Sequence, residues 1–338
     1  MVLPFIKVDL KKIEDNTRII ASAFGSRGIE MVGVTKACLG SPAVAQAMIR
    51  GGAALIADSR LLNIERIAGL GVPLMMLRQP MHHEILQVVE LTDICLVSEF
   101  SAVKLLSEAA EALHKRYKVI VMVETGDLRE GVLPGDLFAF VKEAIGLPWI
   151  DVEGIGTNVA CLQGVPPTPA MLERLVESAS RLRKDLGIEI PVISGGNSSA
   201  WKLIESGLVP PEVNQFRLGE AILLGQETIN FNPIPGTFQD AIMLEAEILE
   251  IKGKPAPLHA GGIRKRAILA LGVQDICRGD LAPFDAGAQL LRRSSDHLVV
   301  DVTDSQLTYR VGDSMAFIPS YEAMLAAMTS PFVEKVYM

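Results

Sequence analysis

The chain has no excess of positive charge and no long apolar run, and each absence excludes a class of partner. Its 338 residues include 32 Lys and Arg against 40 Asp and Glu, which gives a formal net charge of −8. Because no basic run or stripe is present, we do not expect a nucleic acid to bind. No apolar stretch reaches the roughly 18 residues that a membrane-spanning helix needs. The sequence therefore predicts no membrane partner.

Cysteine is also scarce, and the four cysteines lie far apart in the sequence. Cys38, Cys95, Cys161 and Cys277 form no C-x-x-C pair and show no zinc-ligand spacing. No secretory signal is recognisable at the start of the chain. These features predict a reduced, cytoplasmic protein. The adjacent His82 and His83 have no further ligand at a recognisable spacing, so we expect a helix start or loop there and no metal site.

Aromatic residues make up only 5% of the chain, whereas hydrophobic residues together make up 49%. The aliphatic residues form eight short runs, most of them rich in β-branched side chains. Runs of this length and composition predict parallel strands that are buried on both faces. The runs are Met31–Lys36, Ala54–Asp58, Leu74–Leu77, Ile94–Ser98, Lys118–Glu124, Asp151–Thr157, Ile190–Ser194 and Val213–Leu218.

Helical patterns lie between most of these runs. Ser41–Arg50 opens with Ser-Pro, a pair suited to the N-cap and first position of a helix, and Glu99–Lys115 and Thr168–Leu186 carry apolar residues at helical spacing. Alternating strands and helices imply a parallel sheet. Eight repeats favour an α/β fold of the (β/α)8 TIM type over an open, doubly wound sheet.

The pattern changes near Asn232, where Asn-Pro-Ile-Pro-Gly is typical of a linker. The shorter runs beyond it predict strands, and a short closing helix is expected at Tyr321–Met328. We therefore predict a barrel over residues 8–231 and a smaller β-rich C-terminal domain over residues 232–338, together with residues 1–7. The predicted strands of that domain are Ala241–Ile251, Ala267–Leu271, Leu298–Val302 and Ser314–Ile318.

The active site of a (β/α)8 barrel lies at the carboxyl ends of its strands, so residues just after each run are candidates. Lys36 ends the first run, where a dry site would suit Schiff-base chemistry, although surface lysines also end strands. Ser194–Ser199 and Arg217–Ala221 follow the last two runs, where barrels commonly bind phosphate. Their glycines and serines are also compatible with ordinary helix caps. Polar residues at Glu124–Arg129 and Thr157–Cys161 complete the predicted rim.

These segments resemble those of the alanine-racemase-type (fold type III) pyridoxal-phosphate enzymes, and are most similar to the ornithine-racemase-like amino-acid racemases. The resemblance covers the barrel and, more loosely, the second domain. Val34-Thr35-Lys36-Ala37 resembles the cofactor-lysine motif, and Thr125-Gly126-Asp127-Leu128-Arg129 the segment whose arginine approaches the phenolic oxygen of the cofactor. The residues that it implies in cofactor binding are Lys36, Arg129, Asn158, Asn197, Ser198, Arg217, Gly219 and Glu220.

Within this resemblance, Arg217 faces the pyridine nitrogen of the cofactor. An arginine does not give up its proton, so it keeps that nitrogen unprotonated. The ring is then a weaker electron sink, which favours racemisation over transamination. A salt bridge between Arg217 and a carboxylate such as Glu220 is the alternative interpretation.

Racemisation by two bases needs a proton-transfer group on each face of the substrate Cα, and Lys36 can serve one face. In alanine racemase a tyrosine from the partner subunit serves the other face, but Val273 stands at the matching position here. The nearby candidates are Asp275, Cys277 and His297. We favour His297 because its unperturbed pKa lies near neutrality, while each candidate also has a structural interpretation.

The resemblance thus implies a homodimer that interconverts L and D amino acids with pyridoxal phosphate. Gly40 stands near the place of a phosphate-binding tyrosine in alanine racemase, which indicates a wider pocket and a longer substrate such as ornithine or lysine. A pyridoxal-phosphate lyase is an alternative, since related aldolases and dehydratases use a metal held by His and Cys. His259, Cys277 and His297 lack a compact spacing for that role. A non-catalytic pyridoxal-phosphate homeostasis protein is the third interpretation.

Overall fold

A computed structural model describes residues 4–162, 164–255 and 262–338. By its internal contacts the chain divides into two compact units. The first unit comprises Met1–Lys12, Ala37–Leu39 and Phe238–Met338, and the second comprises Ile13–Lys36 and Gly40–Thr237. A domain is a unit that can fold by itself, which contacts alone do not test. The predicted domain boundaries at residues 8 and 231 therefore stay a prediction.

Strands and helices alternate through the second unit, whereas strands dominate the first. In chain order the strands of the described residues are β1 Phe5–Val8, β2 Glu30–Val34, β3 Leu55–Asp58, β4 Leu74–Met76, β5 Ile94–Val97, β6 Tyr117–Met122, β7 Ile150–Gly156, β8 Val192–Ser194, β9 Gln215–Leu218, β10 Ile242–Pro255, β11 Ile263–Leu269, β12 Leu281–Pro283, β13 Gln289–Arg293, β14 Leu298–Asp301, β15 Ser314–Pro319 and β16 Glu334–Tyr337. The α-helices are α1 Leu10–Gly25, α2 Pro42–Arg50, α3 Leu61–Ile67, α4 Ile85–Leu91, α5 Phe100–Ala112, α6 Leu137–Ala144, α7 Pro169–Leu186, α8 Trp201–Glu205, α9 Glu220–Leu224, α10 Val273–Ile276 and α11 Tyr321–Thr329. Short 3-10 helices span Lys36–Cys38, His82–Glu84 and Ser198–Ala200.

Strands β2 to β9 form a closed parallel barrel, which confirms the predicted fold class and makes the open-sheet alternative wrong. Each of the eight predicted runs overlaps one barrel strand. The barrel closes where β9 pairs with β2, with Arg217 opposite Val32 and Leu218 opposite Gly33. Its interior is filled by aliphatic side chains such as Val32, Leu96 and Ile120, as expected for a sheet whose two faces are both buried.

Local sequence signals explain where several barrel helices begin. Helix α2 starts at Pro42 after Ser41, as its Ser-Pro pair predicts, although the Ser41 side chain makes no capping hydrogen bond. The Thr168 side chain caps α7 by accepting a hydrogen bond from the Met171 amide, and α7 ends at Gly187, whose φ of 66° closes the helix. These helices hold the parallel strands in register around the barrel.

The first unit contains a mainly antiparallel sheet with the order β12-β15-β10-β11-β14-β13, and β1 joins it beside β10 and β16. The 14-residue strand β10 is central in this sheet, where it pairs with β15, β11 and β1. The four predicted strands and the closing helix α11 are present in this unit. Four further strands, β1, β12, β13 and β16, are present without having been predicted. No helix within the described ranges is long and apolar enough to cross a membrane.

Candidate active site

The residues at the carboxyl ends of β2 to β9, which we term the barrel rim, include the predicted cofactor residues. Lys36 follows β2 directly and its side chain is exposed. The preceding Thr35 is fully buried, and its Oγ1 donates a hydrogen bond to Asp58 Oδ2 at 2.9 Å. Asp58 also accepts from Asn63 Nδ2 at 3.0 Å and from the Ser59 amide at 2.7 Å. The backbone that carries Lys36 is therefore fixed by the buried side chain that precedes it.

Gly40 occupies a backbone position that excludes a bulky residue. Its φ is +61°, and an added Cβ would overlap the carbonyl oxygen and Cα of Asn63. An aromatic side chain cannot be built at this position without moving α3, to which Asn63 belongs. The absence of a tyrosine here is thus a property of the local backbone.

Arg217, on β9, is a buried cation held by neutral partners. Its Nη2 donates to the Thr157 carbonyl at 2.6 Å, and its Nη1 donates to Ser194 Oγ. Burial lowers the pKa of Arg217 to about 10, so the guanidinium still carries its charge at neutral pH. Among the described residues no salt bridge joins Arg217 to Glu220, and both interpretations of Arg217 stay predictions. Strands β7, β8 and β9 together fix this guanidinium.

Arg129 stands on the rim beyond β6 and is held by its neighbour Glu130. Both Nε and Nη2 of Arg129 donate to the Glu130 carboxylate, and this contact raises the pKa of Arg129. Asp127 is buried beneath it, and its Oδ1 accepts from the amides of Cys161 and Leu162, each at 3.0 Å. The Asp127 carboxylate thus ties the loop after β7 to the loop after β6. The contact between Arg129 and Glu130 was not predicted, because no sequence pattern indicates a pairing of adjacent side chains.

Asn158, after β7, lies between two hydrogen-bond donors. In one orientation its amide oxygen accepts from Asn197 Nδ2 at 2.8 Å. In the other orientation the oxygen accepts from Arg129, with Nη1 at 3.3 Å and Nη2 in contact. One amide oxygen cannot point toward both donors, so one of them faces the Asn158 amide nitrogen. Close by, Asp127 Oδ2 is a buried acceptor with no hydrogen-bond partner among the described residues, 3.9 Å from Arg129 Nε.

The turn after β8 is shaped by glycines and by Asn197. An added Cβ at Gly195 would lie 2.5 Å from Phe216 Cζ, and Gly196 has a φ of +133°. Asn197 Oδ1 accepts from the Ser199 amide at 2.8 Å, and Asn197 Nδ2 donates to the Val159 carbonyl at 2.9 Å. The Asn197 side chain therefore fixes the turn to the loop after β7.

The turns after β8 and β9 meet at Ser198. Its Oγ accepts from the Ala221 amide at 3.2 Å. Gly219 lies close to β2, since an added Cβ would stand 3.2 Å from the Val34 carbonyl oxygen. The two segments predicted to bind phosphate, around Ser198 and around Gly219, are thus neighbours on the rim.

Glu220 is the first residue of α9, and its carboxyl group is partly buried. Burial raises the pKa of Glu220 to about 7, while a hydrogen bond from Gln226 and the positive charge of Lys36 lower it. The sequence pattern implied only a role in the phosphate segment for this residue. Its electrostatic link to Lys36 depends on the pairing of β2 with β9, which the sequence alone does not reveal.

The three candidates for the second base belong to the first unit and differ in exposure. Asp275 is 8% exposed, and its Oδ2 accepts from the Gly272 amide at 3.0 Å while its Oδ1 accepts from Ser330 Oγ at 3.4 Å. Cys277 is exposed in the turn after α10, with a φ of +53°. His297 is exposed in the β13–β14 turn. Asp275 thus has structural partners, whereas the other two side chains face the surface.

The turn that carries His297 packs on the start of α10. The amides of Val273 and Gln274 donate to the carbonyls of Ser294 and Ser295 at 2.9 and 3.0 Å. Val273, which stands where alanine racemase has its tyrosine, is 39% exposed. Val273, which holds the predicted position of the second base, is therefore partly exposed, and the turn that carries His297 lies beside it.

The metal-binding alternative requires several His, Cys, Asp or Glu side chains that lie close together. Within residues 4–162, 164–255 and 262–338, no group of three or more His, Cys, Asp or Glu side chains is placed to hold a metal ion. His82 and His83 form the start of the 3-10 helix that precedes α4, as expected. His259 lies outside the described residues.

The whole chain is similar to known racemases in sequence and in fold. The family described as alanine racemase, N-terminal domain, matches residues 8–226. The chain is 40% identical to the lysine racemase of Thermotoga maritima over 354 residues, which covers 100% of this chain and 99% of the relative. It is 38% identical to the ornithine racemase of Acetoanaerobium sticklandii, with 98% and 99% covered. The solved alanine racemase of Streptomyces lavendulae has a TM-score of 0.77 at 21% identity, covering 99% of this chain and 97% of that chain, a likeness that shows the fold.

Proposed function

This chain belongs to the alanine racemase family and is an amino-acid racemase, and we propose that it interconverts the L and D forms of a long basic amino acid such as lysine or ornithine. The observation that carries this proposal is the match over the full length to two racemases whose named substrates end in an amine. The match includes the second domain, which a carrier built of a barrel alone would lack. It therefore favours a racemase over the lyase and the homeostasis protein.

The donors of the rim fit pyridoxal phosphate as the cofactor. Arg217 is a buried cation with neutral partners, and Asn158 stands between two donors. Both arrangements place donors where an acceptor of the cofactor could bind. The pyridine nitrogen, phenolic oxygen and phosphate of this cofactor are acceptors of that kind, and the cofactor, when bound through Lys36, withdraws electrons from the substrate and so acidifies its Cα–H bond.

Each rim residue then has a role that follows from its chemistry. Arg217 would hold the pyridine nitrogen without giving it a proton, because its pKa of about 10 keeps the guanidinium charged. Arg129 would meet the phenolic oxygen, with Asn158 and Asn197 beside it. Ser198 and the backbone at Gly219 and Glu220 would bind the phosphate, where glycine permits close approach.

Lys36 would transfer the proton on one face of the substrate Cα. Its exposed side chain would leave the amine free to move toward the substrate Cα once the substrate amine has replaced it on the cofactor. A proton taken by Lys36 is returned to the same face, so inversion requires a group on the other face. Among Asp275, Cys277 and His297 we propose His297, since its side chain is exposed and an imidazole can both accept and donate a proton.

The resemblance to alanine racemase also supports a homodimer in which the second base comes from the partner subunit. A cytoplasmic location stays a prediction that rests on the scattered free cysteines. The pocket for the cationic end of the substrate would need a carboxylate on the barrel rim. The backbone of Asn63 fills the space beside Gly40, so the proposal of a substrate longer than alanine rests on the lysine and ornithine racemases that the chain resembles.

Deuterium exchange tests the proposed function directly. Protein supplied with pyridoxal phosphate would be incubated in deuterated water with the L and D forms of lysine, ornithine, alanine and serine. We expect inversion and Cα deuteration of lysine or ornithine from both enantiomers, measured by chiral chromatography and mass spectrometry. Lys36→Ala is expected to reduce the rate by about 10³-fold or more.

Two results would contradict this proposal. Formation of an amine or a keto acid in place of the opposite enantiomer would support a lyase. Failure of the wild-type protein to gain the visible absorbance of bound pyridoxal phosphate would contradict the cofactor. Because Lys36 is exposed, the Lys36→Ala variant should keep the wild-type thermal unfolding curve, which separates loss of chemistry from loss of folding.

A further inference from the structure

Strand pairing places Glu220 beside Lys36 on the barrel rim. Strands β2 and β9 are parallel neighbours, with Gly33 opposite Leu218. Gly219 then contacts Val34, since an added Cβ would lie 3.2 Å from the Val34 carbonyl oxygen and 3.3 Å from its Cβ. Glu220 and Lys36 follow one and two residues beyond this contact. Adjacent strands lie about 4.8 Å apart, a distance that the long lysine side chain can span.

The Glu220 carboxyl group is held on one side and faces a positive charge on the other. Gln226, just beyond α9, donates a hydrogen bond to it. The ammonium group of Lys36 acts on it electrostatically. Burial raises the pKa of Glu220 to about 7, so near neutral pH the group changes between its acid and its carboxylate form.

The other charged groups on the surrounding elements have partners of their own. On β9, Arg217 is bonded to Ser194 and Thr157. On β3, Asp58 is bonded to Thr35 and Asn63. Beyond α9, the Glu227 carboxylate accepts from the amides of Ile229 and Asn230 and lies 3.5 Å from Lys202.

Helix α1 also packs on α9, since Asn16 Nδ2 donates to the Ile222 carbonyl at 3.0 Å. Its acidic residues Glu14 and Asp15 both pair with Arg18. These charges are therefore engaged on α1 itself. The Lys36 ammonium remains the charge that acts on Glu220.

We propose that Glu220 is a positioning residue for Lys36, and that its carboxylate accepts the hydrogen bond of the Lys36 amine whenever that amine is not bonded to the cofactor. This inference rests on the role of Lys36 in the proposed function. It is distinct from the phosphate contact implied for the Glu220 backbone, because it concerns the side chain. The proposal gives this carboxyl group a task that a neutral residue at position 220 could not perform.

The proton balance of the reaction explains why such a partner is useful. When the free Lys36 amine takes the proton from the substrate Cα, it becomes an ammonium group. The Glu220 carboxylate then supplies the opposite charge beside it and keeps it pointing along the rim. When the proton returns to Cα, Lys36 is again a neutral amine, the form that would displace the amino group of the product from the cofactor. Glu220 itself forms and breaks no covalent bond.

Acetylation of Lys36 in the full-length, cofactor-free chain tests the proposal. Acetic anhydride reacts with a neutral amine and not with an ammonium group, and peptide mass spectrometry measures the rate at Lys36. Wild type, Glu220→Gln and the matched control Glu227→Gln would be compared from about pH 5.5 to pH 8.5. Glu227 is a suitable control because it is a nearby carboxylate that binds loop amides.

We expect the difference between the variants to appear only above the pKa of Glu220. At about pH 8 the Glu220→Gln variant should react about threefold faster than wild type, as loss of a partly exposed ion pair would give. At about pH 5.5, where Glu220 is protonated, the two rates should agree. The Glu227→Gln variant should follow wild type throughout. Equal rates for wild type and Glu220→Gln at every pH would overturn the proposal.

A second variant covers the case in which Glu220→Gln does not fold. Gln226→Leu removes the hydrogen bond that lowers the pKa of Glu220. The pH at which Lys36 becomes protected should then move upward by a measurable fraction of a unit. An unchanged pH in Gln226→Leu would count against the proposal.

The acetylation rates are measured without substrate, so they do not depend on the proposed racemisation. If no amino acid is inverted and the Glu220→Gln profile still changes, the proposed function fails while the contact stands. If lysine or ornithine is inverted and the profiles agree, the proposed function stands and the Glu220 inference fails. In the loaded enzyme, the inference also predicts that Glu220→Gln lowers kcat and leaves KM nearly unchanged.

Discussion

The barrel rim and the surface around α10 in the other unit carry candidate residues of different character. On the rim, Arg217 and Asn197 are held by hydrogen bonds that reach from one strand end to another. Around α10, Cys277 and His297 are exposed in turns, and Asp275 is committed to the Gly272 amide and Ser330. Hydrogen bonds on the rim thus hold the candidate side chains themselves, whereas those around Cys277 and His297 hold the backbone of their turns.

This difference follows from what each region has to do. A cofactor that stays bound needs donors at fixed positions, and parallel strands supply such positions at one edge of a barrel. A group that only exchanges a proton with substrate needs access and a suitable pKa. We therefore expect loss of the buried charge on the rim to have a larger effect than loss of a proton-transfer group near α10, and a change that keeps a rim side chain in place to have the smallest effect.

Arg217→Gln should have the largest effect. The variant keeps a hydrogen-bond donor but removes the buried positive charge that faces the cofactor. Because glutamine does not hold the pyridine nitrogen unprotonated in the same way, we expect racemisation to fall by about 10²-fold or more. Slow formation of keto acid should rise at the same time. Chiral chromatography and a keto-acid assay measure the two products.

The matched control for this variant is Ser194→Ala. It removes the neutral partner of Arg217 Nη1 and leaves the guanidinium charge in place. We expect it to lose only a few-fold in rate and to unfold with a free energy lower by about 1 kcal/mol. If Ser194→Ala is as damaging as Arg217→Gln, position rather than charge is what matters at Arg217.

His297→Ala should have an intermediate effect that depends on the face of the substrate. Exchange of the Cα proton on the face opposite Lys36 should fall by about 10²-fold, since the proposed base is lost. Exchange on the Lys36 face should continue. Deuterium incorporation from each pure enantiomer measures the two faces separately.

Cys277→Ala and Asp275→Asn provide the comparison for His297. Cys277→Ala should change exchange little if His297 is the base. Asp275→Asn should mainly lower the free energy of unfolding, by about 1 kcal/mol, because it weakens the contact with the Gly272 amide. Wild-type exchange on both faces in His297→Ala would reject His297 and direct attention to Cys277.

The sequence revealed the barrel far better than the second sheet, for a physical reason. Each barrel strand is buried on both faces, so it appears as an apolar run. Strand β13, with the sequence Gln-Leu-Leu-Arg-Arg, and β16, with Glu-Lys-Val-Tyr, are partly exposed and carry charge, so no such run marks them. The unpredicted β1 is a four-residue strand that pairs with the distant β10 and β16.

At the candidate site, too, the sequence predicts single residues better than the contacts between them. Lys36 and Arg217 could be chosen because each ends an apolar run in a recognisable motif. The contacts of Arg217 with Ser194 and Thr157 could not, since they depend on how three strand ends meet. The link between Glu220 and Lys36 likewise joins residues that are far apart in the sequence and adjacent only through the β2–β9 pairing.

Asn158→Asp should have the smallest effect, and its sign tests whether the donors beside Asn158 await an acceptor. An aspartate can accept from Arg129 with one oxygen and from Asn197 Nδ2 with the other, which the asparagine amide cannot do. We expect the cofactor-free variant to unfold with a free energy higher by about 0.5 to 1 kcal/mol in a urea titration.

The same substitution should weaken binding of pyridoxal phosphate by a few-fold. The new carboxylate satisfies donors that would otherwise serve the cofactor, and it adds a negative charge beside the phenolic oxygen. Asn158→Ala is the control, because it removes the amide without adding an acceptor and should lower both stability and cofactor affinity slightly. If Asn158→Asp instead destabilises the cofactor-free chain, the donors of Arg129 and Asn197 already have acceptors. The proposal that these donors await an acceptor of the cofactor would then be rejected.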